Sequence, residues 1–282
     1  MKDVLLKITE SSNWVVIFTL LILLVWEGYA PYFSFFRQKM KKRALHAARN
    51  FTLTVMNAIM TSLMFIWIWN WAADFTTVHQ FGLMNQFALP AWGKALGVVL
   101  LFDIWTYWWH RFSHVVPFLW RFHRVHHSDP QMDVTTSNRF HIGEIFISNV
   151  IRIPLIMLFG AEFWHIALFS ALMFPVVQFQ HANIGLTPTL DRLLRIVFVT
   201  PHMHKVHHSR YYKETNSNYT SMFSIWDRLF GSFRLSKDLS KIQLGLNHFD
   251  SDKKQSIGGM LATPLGKNHT LPKNENNTEL EP

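Results

Sequence analysis

Apolar residues in this chain are concentrated in runs long enough to cross a lipid bilayer, which takes a helix of about 20 residues. Three such runs precede residue 110: about Trp14 to Tyr32, about Phe51 to Ala73, and about Ala91 to Trp109. Two more, Ile142 to Phe159 and Phe163 to Gln180, are separated only by Gly160-Ala-Glu162, which indicates a helical hairpin. The pattern predicts an all-α integral membrane protein with about four transmembrane or hairpin-forming helices.

The remaining segments have a different character. From Ile184 to Phe233 the chain is amphipathic, with aromatic residues between charges, which predicts a helical cap at the membrane surface. From about residue 250 to residue 282 it is rich in Asn, Lys, Glu, Thr and Pro, which predicts a disordered tail. The expected divisions are therefore N-terminal helices over 1–90, a central domain over 91–249 and a tail over 250–282.

The net charge of +9 depends partly on a basic segment between the first two apolar runs. Its members are Arg37, Lys39, Lys41, Lys42, Arg43 and Arg49. This distribution is typical of a cytoplasmic loop, and no nucleic-acid recognition module accompanies it. The sequence has no cysteine, which excludes disulfides, thiolate metal sites and a cysteine nucleophile.

Three histidine clusters supply the candidate chemistry. They are His110-Arg-Phe-Ser-His114, His123-Arg-Val-His126-His127 and His204-Lys-Val-His207-His208. Neutral imidazole is a common metal ligand, and one mononuclear site uses only three or four ligands. These eight histidines therefore predict two metal ions close together. Neighbours such as His126 and His127 diverge by about 100° on a helix, so they can serve different metals or different sides of one centre.

Further side chains are expected around these clusters. Asp103, Tyr107, His110 and His114 share one helical face, and polar residues at membrane depth indicate function. His181 is the expected ninth ligand, and His141 is expected to orient a ligand or hold the cap, with direct ligation as the alternative. We expect an all-nitrogen ligand set, with carboxylates orienting the imidazoles. The predicted supporting residues are Asp103, Tyr107, Asp129, Arg139, His141, Glu144, Asn183, His202, Asn218 and Asp227.

Two other functions use the same residue types. A membrane zinc-dependent hydrolase or metal transporter would hold zinc and would not depend on oxygen. A bis-histidine cytochrome would need single histidines that face each other at mid-membrane, which the clustered spacing disfavours.

The motifs resemble those of the fatty acid hydroxylase / sterol desaturase superfamily of membrane-bound non-haem diiron enzymes, over about Leu96 to Phe249. Besides the three clusters, the resemblance rests on Thr136-Ser-Asn-Arg139-Phe-His141, Gln180-His181-Ala-Asn183, Asn218-Tyr219 and Trp226-Asp227-Arg-Leu-Phe-Gly231. The C-terminal region, including Asn247-His248, is similar to the alkylglycerol monooxygenase branch. Asn138 and Thr220 depart from the usual pattern.

The resemblance implies two iron ions that activate dioxygen to attack an unactivated C–H bond of a lipid, by hydroxylation, desaturation or ether cleavage. It implies that His110, His114, His123, His126, His127, His204, His207 and His208 are ligands, with His181 as a further one. No flavin, dinucleotide or cytochrome b5 motif is visible, so we expect a separate electron donor, such as a ferredoxin, cytochrome or reductase. The basic loop places the histidines at the cytoplasmic face.

Overall fold

The computed structural model describes residues 12–266, where the regular structure is helical and contains no strand beyond isolated bridges. Residues 1–11 and 267–282, which include most of the predicted tail, lie outside this range. The longer helices are α1 (Ser12–Tyr29), α2 (Met40–Met64), α3 (Ile66–Val78), α4 (Ala91–Val115), α5 (Pro117–His127), α6 (Ile142–Phe159) and α7 (Phe163–His181). Short helices follow: α8 (Pro188–Leu194), α9 (Pro201–His207), α10 (Tyr212–Thr215), α11 (Ile225–Leu229), α12 (Asp252–Gln255) and α13 (Ile257–Ala262).

Within residues 12–266, two helices are long and apolar enough to cross a membrane, namely α6 and α7. Counting α2 together with the helical segment Ile66–Gln86 as one bent span raises the number to three. Both helices of the predicted hairpin are therefore present, joined through Gly160-Ala-Glu162, and the architecture is consistent with a membrane protein. The first run is a shorter apolar helix, Trp14–Tyr29, and α4 does not qualify as a candidate span.

The second apolar run is not one straight helix. It divides at Phe65, and the two helical segments are bent by 50° relative to each other. No proline or glycine stands at the break, although these are the usual sequence signals of a kink. The bend could therefore not be read from the residue pattern.

A core of buried apolar side chains joins α3, α4, α6 and α7. Ala72, Phe102, Ile156 and Phe169 are among its members. Helices α1, α2 and α3 also carry exposed apolar side chains. The exposed fraction is 63% for Ile22, 74% for Leu63 and 65% for Trp67. An exposed apolar surface of this kind indicates contact with a membrane or a partner.

Several helix ends meet at one side of the molecule. The first part of α2 is joined to Asp129, two residues beyond α5, where His46 Nε2 lies 2.8 Å from Asp129 Oδ2. Near the end of α1, buried Glu27 accepts hydrogen bonds from the backbone N–H groups of Val134 and Asn183. The start of α6 and the end of α7 lie at the same side, where the histidines gather.

The prediction of a disordered tail from residue 250 is wrong for residues 250–266. This segment contains α12, α13 and a final 3₁₀ turn. Met260 is fully buried against Leu53 and Val125. Gln255 accepts a hydrogen bond from the buried guanidinium of Arg139 at 2.7 Å. The polar composition of the segment gave no indication of these few contacts, which connect it to α5 and to Arg139.

Candidate metal centre

Nine histidines come together in two groups. Each member offers one nitrogen, and within each group these nitrogens all lie within 4.8 Å of one another. Group one contains His110, His114, His123, His127 and His207; group two contains His126, His181, His204 and His208. The sequence-adjacent pair His126 and His127 thus divides between the groups, as the divergence of neighbouring helical side chains allows.

Group one is assembled from three helices. α4 supplies His110 and His114, which are one turn apart, and α5 supplies His123 and His127 in the same relation. His207, at the end of α9, completes the group. Spacing by four residues places each pair on one face of its helix, so two local patterns and one short helix create the cluster.

Contacts from outside hold three rings of group one. His110 Nδ1 lies 2.7 Å from the carbonyl oxygen of Tyr219, and His207 Nδ1 lies 2.6 Å from that of Ser217. His123 Nδ1 lies 2.7 Å from Glu144 Oε1. Each acceptor fixes a proton on Nδ1, so Nε2 is left with its lone pair directed into the group.

Group two joins α5, α7 and α9. His181 is the last residue of α7, and its Nδ1 lies 2.7 Å from the carbonyl oxygen of Val177. Its Nε2 lies 3.1 Å from that of His126 and 2.9 Å from that of His204. His208 Nε2 then lies 3.1 Å from His204 Nε2. The four rings therefore turn the same nitrogen toward a common point.

These short nitrogen–nitrogen distances favour a cation between the rings. His110 Nε2 and His207 Nε2 are 3.0 Å apart, yet both rings already carry their proton on Nδ1, so two lone pairs face each other. With metal–nitrogen bonds of about 2.1 Å, two ligands at right angles on one ion lie about 3.0 Å apart. The arrangement fits a shared metal ion.

The electrostatics also favour metal binding. Burial, with repulsion from neighbouring imidazoles, holds the pKa of His126, His127, His204 and His208 well below the ordinary value. Burial lowers the pKa of His207 to about 3. These rings are therefore neutral near pH 7, which is the form that binds a metal.

Several ring nitrogens have no hydrogen-bond partner among residues 12–266, although they are buried. Examples are His123 Nε2 and both nitrogens of His114 and His127. Buried polar atoms normally find partners. A metal ion would satisfy the nitrogens that point into the groups, so the donor set fits a pair of metal ions.

The predicted supporting residues differ in how close they lie to the histidines. Glu144 touches His123 directly. Asp227 acts through the backbone: it accepts from the Tyr219 N–H at 2.8 Å, and the Tyr219 carbonyl in turn holds His110. Asn218, at φ 52°, donates to the carbonyl oxygens of Met203 and Arg234, which fixes the same loop against α9.

Arg139 and Asp129 organise α5 and the loop after it. Arg139 is fully buried, and its Nε donates to the Val125 carbonyl at 3.0 Å, just before His126. Asp129 pairs with His46 and accepts from Thr136 Oγ1 at 2.7 Å. The neighbouring positive charges of His46 and Arg139 keep the pKa of Asp129 below its usual value despite burial.

Other predicted residues support the surrounding structure. Asn183 donates to the Phe33 carbonyl. Asp103 accepts from Trp226 Nε1 at 2.7 Å, and Tyr107 lies 2.8 Å from Ser232 Oγ.

The two histidines among the predicted supporting residues, His141 and His202, lie outside both groups. His141 caps α6, where its Nδ1 accepts from the Gly143 N–H. His202 lies 3.3 Å from the Ser236 carbonyl and 3.7 Å from Asp191.

Sequence reasoning missed the backbone carbonyls that orient the rings. Ser217, Tyr219 and Val177 act through main-chain oxygens, for which side-chain identity gives no signal. The one indirect signal was Asn218-Tyr219, in which Asn218 was predicted as a supporting residue and Tyr219 had no assigned role.

A cavity of about 450 Å³ reaches both groups. It lies between α2, α4, α6 and α7, and it extends from His110 and His123 of group one and His126 and His204 of group two to Trp69. Its wall mixes apolar and polar side chains. We call it the central cavity.

Comparison with known proteins agrees with this site. Residues 95–232 match the model of the fatty acid hydroxylase family. Alkylglycerol monooxygenase from Danio rerio is 30% identical over 184 residues, which is 65% of this chain and 37% of that protein. Ornithine lipid hydroxylase OlsE from Rhizobium tropici is 33% identical over 167 residues, or 57% of this chain and 49% of that protein.

A more distant relative is cholesterol 25-hydroxylase from Homo sapiens, 26% identical over 142 residues, which cover 48% of this chain and 49% of that protein. The chain thus spans half or less of the length of these three curated relatives. No solved structure matches. The resemblance inferred from the histidine motifs is confirmed, because residues 95–232 form a fatty acid hydroxylase domain.

Proposed function

We propose that this protein is a membrane-bound, dioxygen-dependent oxidoreductase that hydroxylates or desaturates a lipid at a pair of iron ions. The observation that carries the proposal is the convergence of nine histidines in two groups at one cavity between apolar helices. Bound iron would supply the reduction of dioxygen and the oxidation of an unactivated C–H bond. The protein supplies positions, orientation and a dry pocket.

The proposed ligands of one iron are the five histidines of group one, and those of the other are the four of group two. Structural zinc sites are almost always four-coordinate, whereas group one offers five nitrogens. Soft thiolate ligands are excluded because the chain has no cysteine. Imidazole binds zinc, copper, iron and nickel, so the choice of iron rests on the match to the fatty acid hydroxylase family and on the fifth nitrogen of group one.

The central cavity is the proposed path for the lipid. Met173, Phe174 and Val177 of α7 provide apolar wall, against which an alkyl chain can pack. His110, His123 and His126 line the same space, so a chain in it would lie beside both groups. The relatives named above act, by their names, on an alkylglycerol, an ornithine lipid and cholesterol, which supports a lipid substrate without specifying it.

We further propose that the histidine groups lie at the cytoplasmic side, where a separate ferredoxin, cytochrome or reductase delivers electrons. The contact between His46 of α2 and Asp129 after α5 supports this, because it joins the basic start of α2 to the histidine layer. Basic residues outside the bilayer favour the cytoplasmic side. The same surface would attract an acidic electron-transfer partner.

Metal content and spectroscopy test the proposal. Protein purified without oxygen and loaded with iron-57 should contain about two iron ions with a coupled Mössbauer spectrum, as a two-metal site requires. The double variant His207→Ala, His208→Ala removes one nitrogen from each group and should lose the coupled spectrum and lipid oxidation. His79→Ala is the matched control, since His79 is exposed and belongs to neither group.

One result would favour the alternative function, a zinc-dependent hydrolase or metal transporter. Stoichiometric zinc that iron does not replace, together with no oxygen uptake under any reductant, would overturn the oxidoreductase and favour a zinc-dependent hydrolase or metal transporter.

A further inference from the structure

Arg152 places a positive charge inside α6, one of the two helices long and apolar enough to cross a membrane. A charged side chain at such a position is costly in lipid and usually marks a functional site. The other charged residue of α6 is Glu144. Its carboxylate already contacts His123, so it does not offset the charge of Arg152.

Within residues 12–266, the guanidinium of Arg152 has no ionic partner. Among residues 12–266, its recorded contact is with the ring of Trp69, 4.8 Å from the ring centroid. No carboxylate pairs with it, and no carbonyl or hydroxyl group there accepts its hydrogen bonds. Arg152 is half-buried; the cation–π contact offsets part of its desolvation, but it leaves the N–H donors of the guanidinium unused.

Arg152 also lines the central cavity, together with residues on its own face of α6. Glu144, Ser148 and Asn149 precede it by eight, four and three residues, and these spacings fall on one helix face. Glu144 marks the histidine end of that face. Eight helical residues rise about 12 Å, so Arg152 lies well along the cavity from the metal groups.

We infer that Arg152 binds an anionic group of the lipid substrate, a carboxylate or a phosphate, while the alkyl chain of that lipid extends toward the two histidine groups. The planar fork of a guanidinium matches both anions in a bidentate arrangement. Polar Ser148 and Asn149 give the same end of the cavity further donors. The inference rests on the proposed function and specifies its substrate class.

The geometry has a consequence for the position of oxidation. With the anion held at Arg152, the carbon beside the histidines is set by the length of the cavity between Arg152 and the histidines that line it. Arg152 is then a specificity-determining residue that touches the substrate far from the reacting carbon.

Binding of matched lipid pairs tests this role. Palmitate and hexadecanol share an alkyl chain and differ in charge; a lysophosphatidate and a monoacylglycerol form the second pair. Affinities are measured on the full-length protein in a nonionic detergent, without iron or dioxygen. Arg152→Gln should weaken binding of the charged lipid by about 10- to 100-fold, the range for a lost hydrogen-bonded ion contact.

Two further variants make the result specific. Arg152→Lys keeps the charge without the fork, so it should retain preference for the charged lipid at reduced affinity. Lys213→Gln removes one charge from an exposed position outside the cavity and should bind every lipid like the wild type. The neutral lipid of each pair should bind Arg152→Gln unchanged.

The pairs identify the anion. Loss confined to palmitate assigns a carboxylate, and loss confined to the lysophosphatidate assigns a phosphate. Equal binding of both members of both pairs by the wild type, or equal loss of both members in the two Arg152 variants, would overturn the inference. A protein that binds palmitate through Arg152 but takes up no iron would contradict only the proposed oxidation.

Discussion

The two histidine groups differ in how their rings are held. In group one, the rings of His110, His123 and His207 each contact an acceptor outside the group. In group two, His181 has such a contact, with the Val177 carbonyl. The Nδ1 atoms of the other three rings, His126, His204 and His208, are buried without a hydrogen-bond partner in the described part of the chain.

This difference indicates that similar histidine motifs need not produce equivalent metal sites. Contacts behind a ligand fix its tautomer and its ring orientation, and they commonly strengthen metal binding. A ring without such a contact must lose rotational freedom when the metal binds. We therefore expect group one to be the tighter site and group two to depend more on its metal for its own order.

The largest expected effect comes from the adjacent pair that divides between the groups. His126→Ala leaves group two with three ligands, whereas His127→Ala leaves group one with four. We expect the His126→Ala variant to lose the metal ion of group two almost completely, because only one of the three remaining rings, His181, is held by a contact outside the group. The iron content should then fall to about one ion per chain. His127→Ala should retain partial occupancy of group one. Iron analysis and Mössbauer spectra of the two variants check this.

Both variants should lose lipid oxidation, because the chemistry needs both ions. Exposed His79→Ala again gives the baseline for metal content. Equal occupancy in the two variants, or greater loss in His127→Ala, would contradict the proposed difference between the groups.

A smaller effect is expected when the support of one ring is weakened. Glu144→Gln keeps an acceptor for His123 Nδ1 but removes the negative charge 2.7 Å away. Loss of such a contact typically lowers metal affinity by about 10- to 100-fold. The loss should be confined to group one and is measured by competition with a chelator, followed by the spectrum of the metal that remains.

Asp103→Asn is the matched control for this prediction. Asp103 is another fully buried carboxylate near the site, but it accepts from Trp226 Nε1 and the Phe223 N–H and contacts no histidine. Its replacement should reduce stability and leave the affinity of both groups unchanged. Weaker binding at group two in Glu144→Gln would show that the two sites are not independently supported.

Much of this site could be predicted from residue spacing alone. The i, i+4 pairs on α4 and α5 and the divergence of His126 from His127 follow from helix geometry. To predict His181 as a ligand, it was enough to assume that α7 returns to the side of the membrane where α6 begins. The orienting carbonyls of Ser217 and Tyr219 could not be predicted, because they depend on how a loop without periodicity packs against α4 and α9.

The fold was predictable to a similar degree and for related reasons. The hairpin of α6 and α7 follows from two apolar runs around Gly160, which adopts φ 71° at the end of α6. The bend at Phe65 and the packing of residues 250–266 were missed. The packing of residues 250–266 depends on tertiary contacts of a few residues, such as Met260 and Gln255, and no proline or glycine marks the bend.

The smallest expected effect tests a support that the two groups share. Gln255 accepts from Arg139 and donates to the carbonyl oxygens of Ser128 and Phe249, at 2.8 Å each. Arg139 in turn holds the Val125 carbonyl of α5, the helix that carries ligands of both groups. Gln255→Ala should lower the free energy of unfolding by about 1–3 kcal/mol, because buried polar groups lose partners.

Since α5 serves both groups, this destabilisation should weaken the two metals alike rather than widen the difference between them. Thermal unfolding in detergent measures the first effect, and chelator competition at each site measures the second. Gln243→Ala, an exposed glutamine on the neighbouring segment, should change neither. A selective loss from group two would mean that the ordered segment after residue 250 supports one histidine group in particular. The difference in metal affinity between the two groups would then depend on the packing of α12 and α13 as well as on the acceptors that hold each ring.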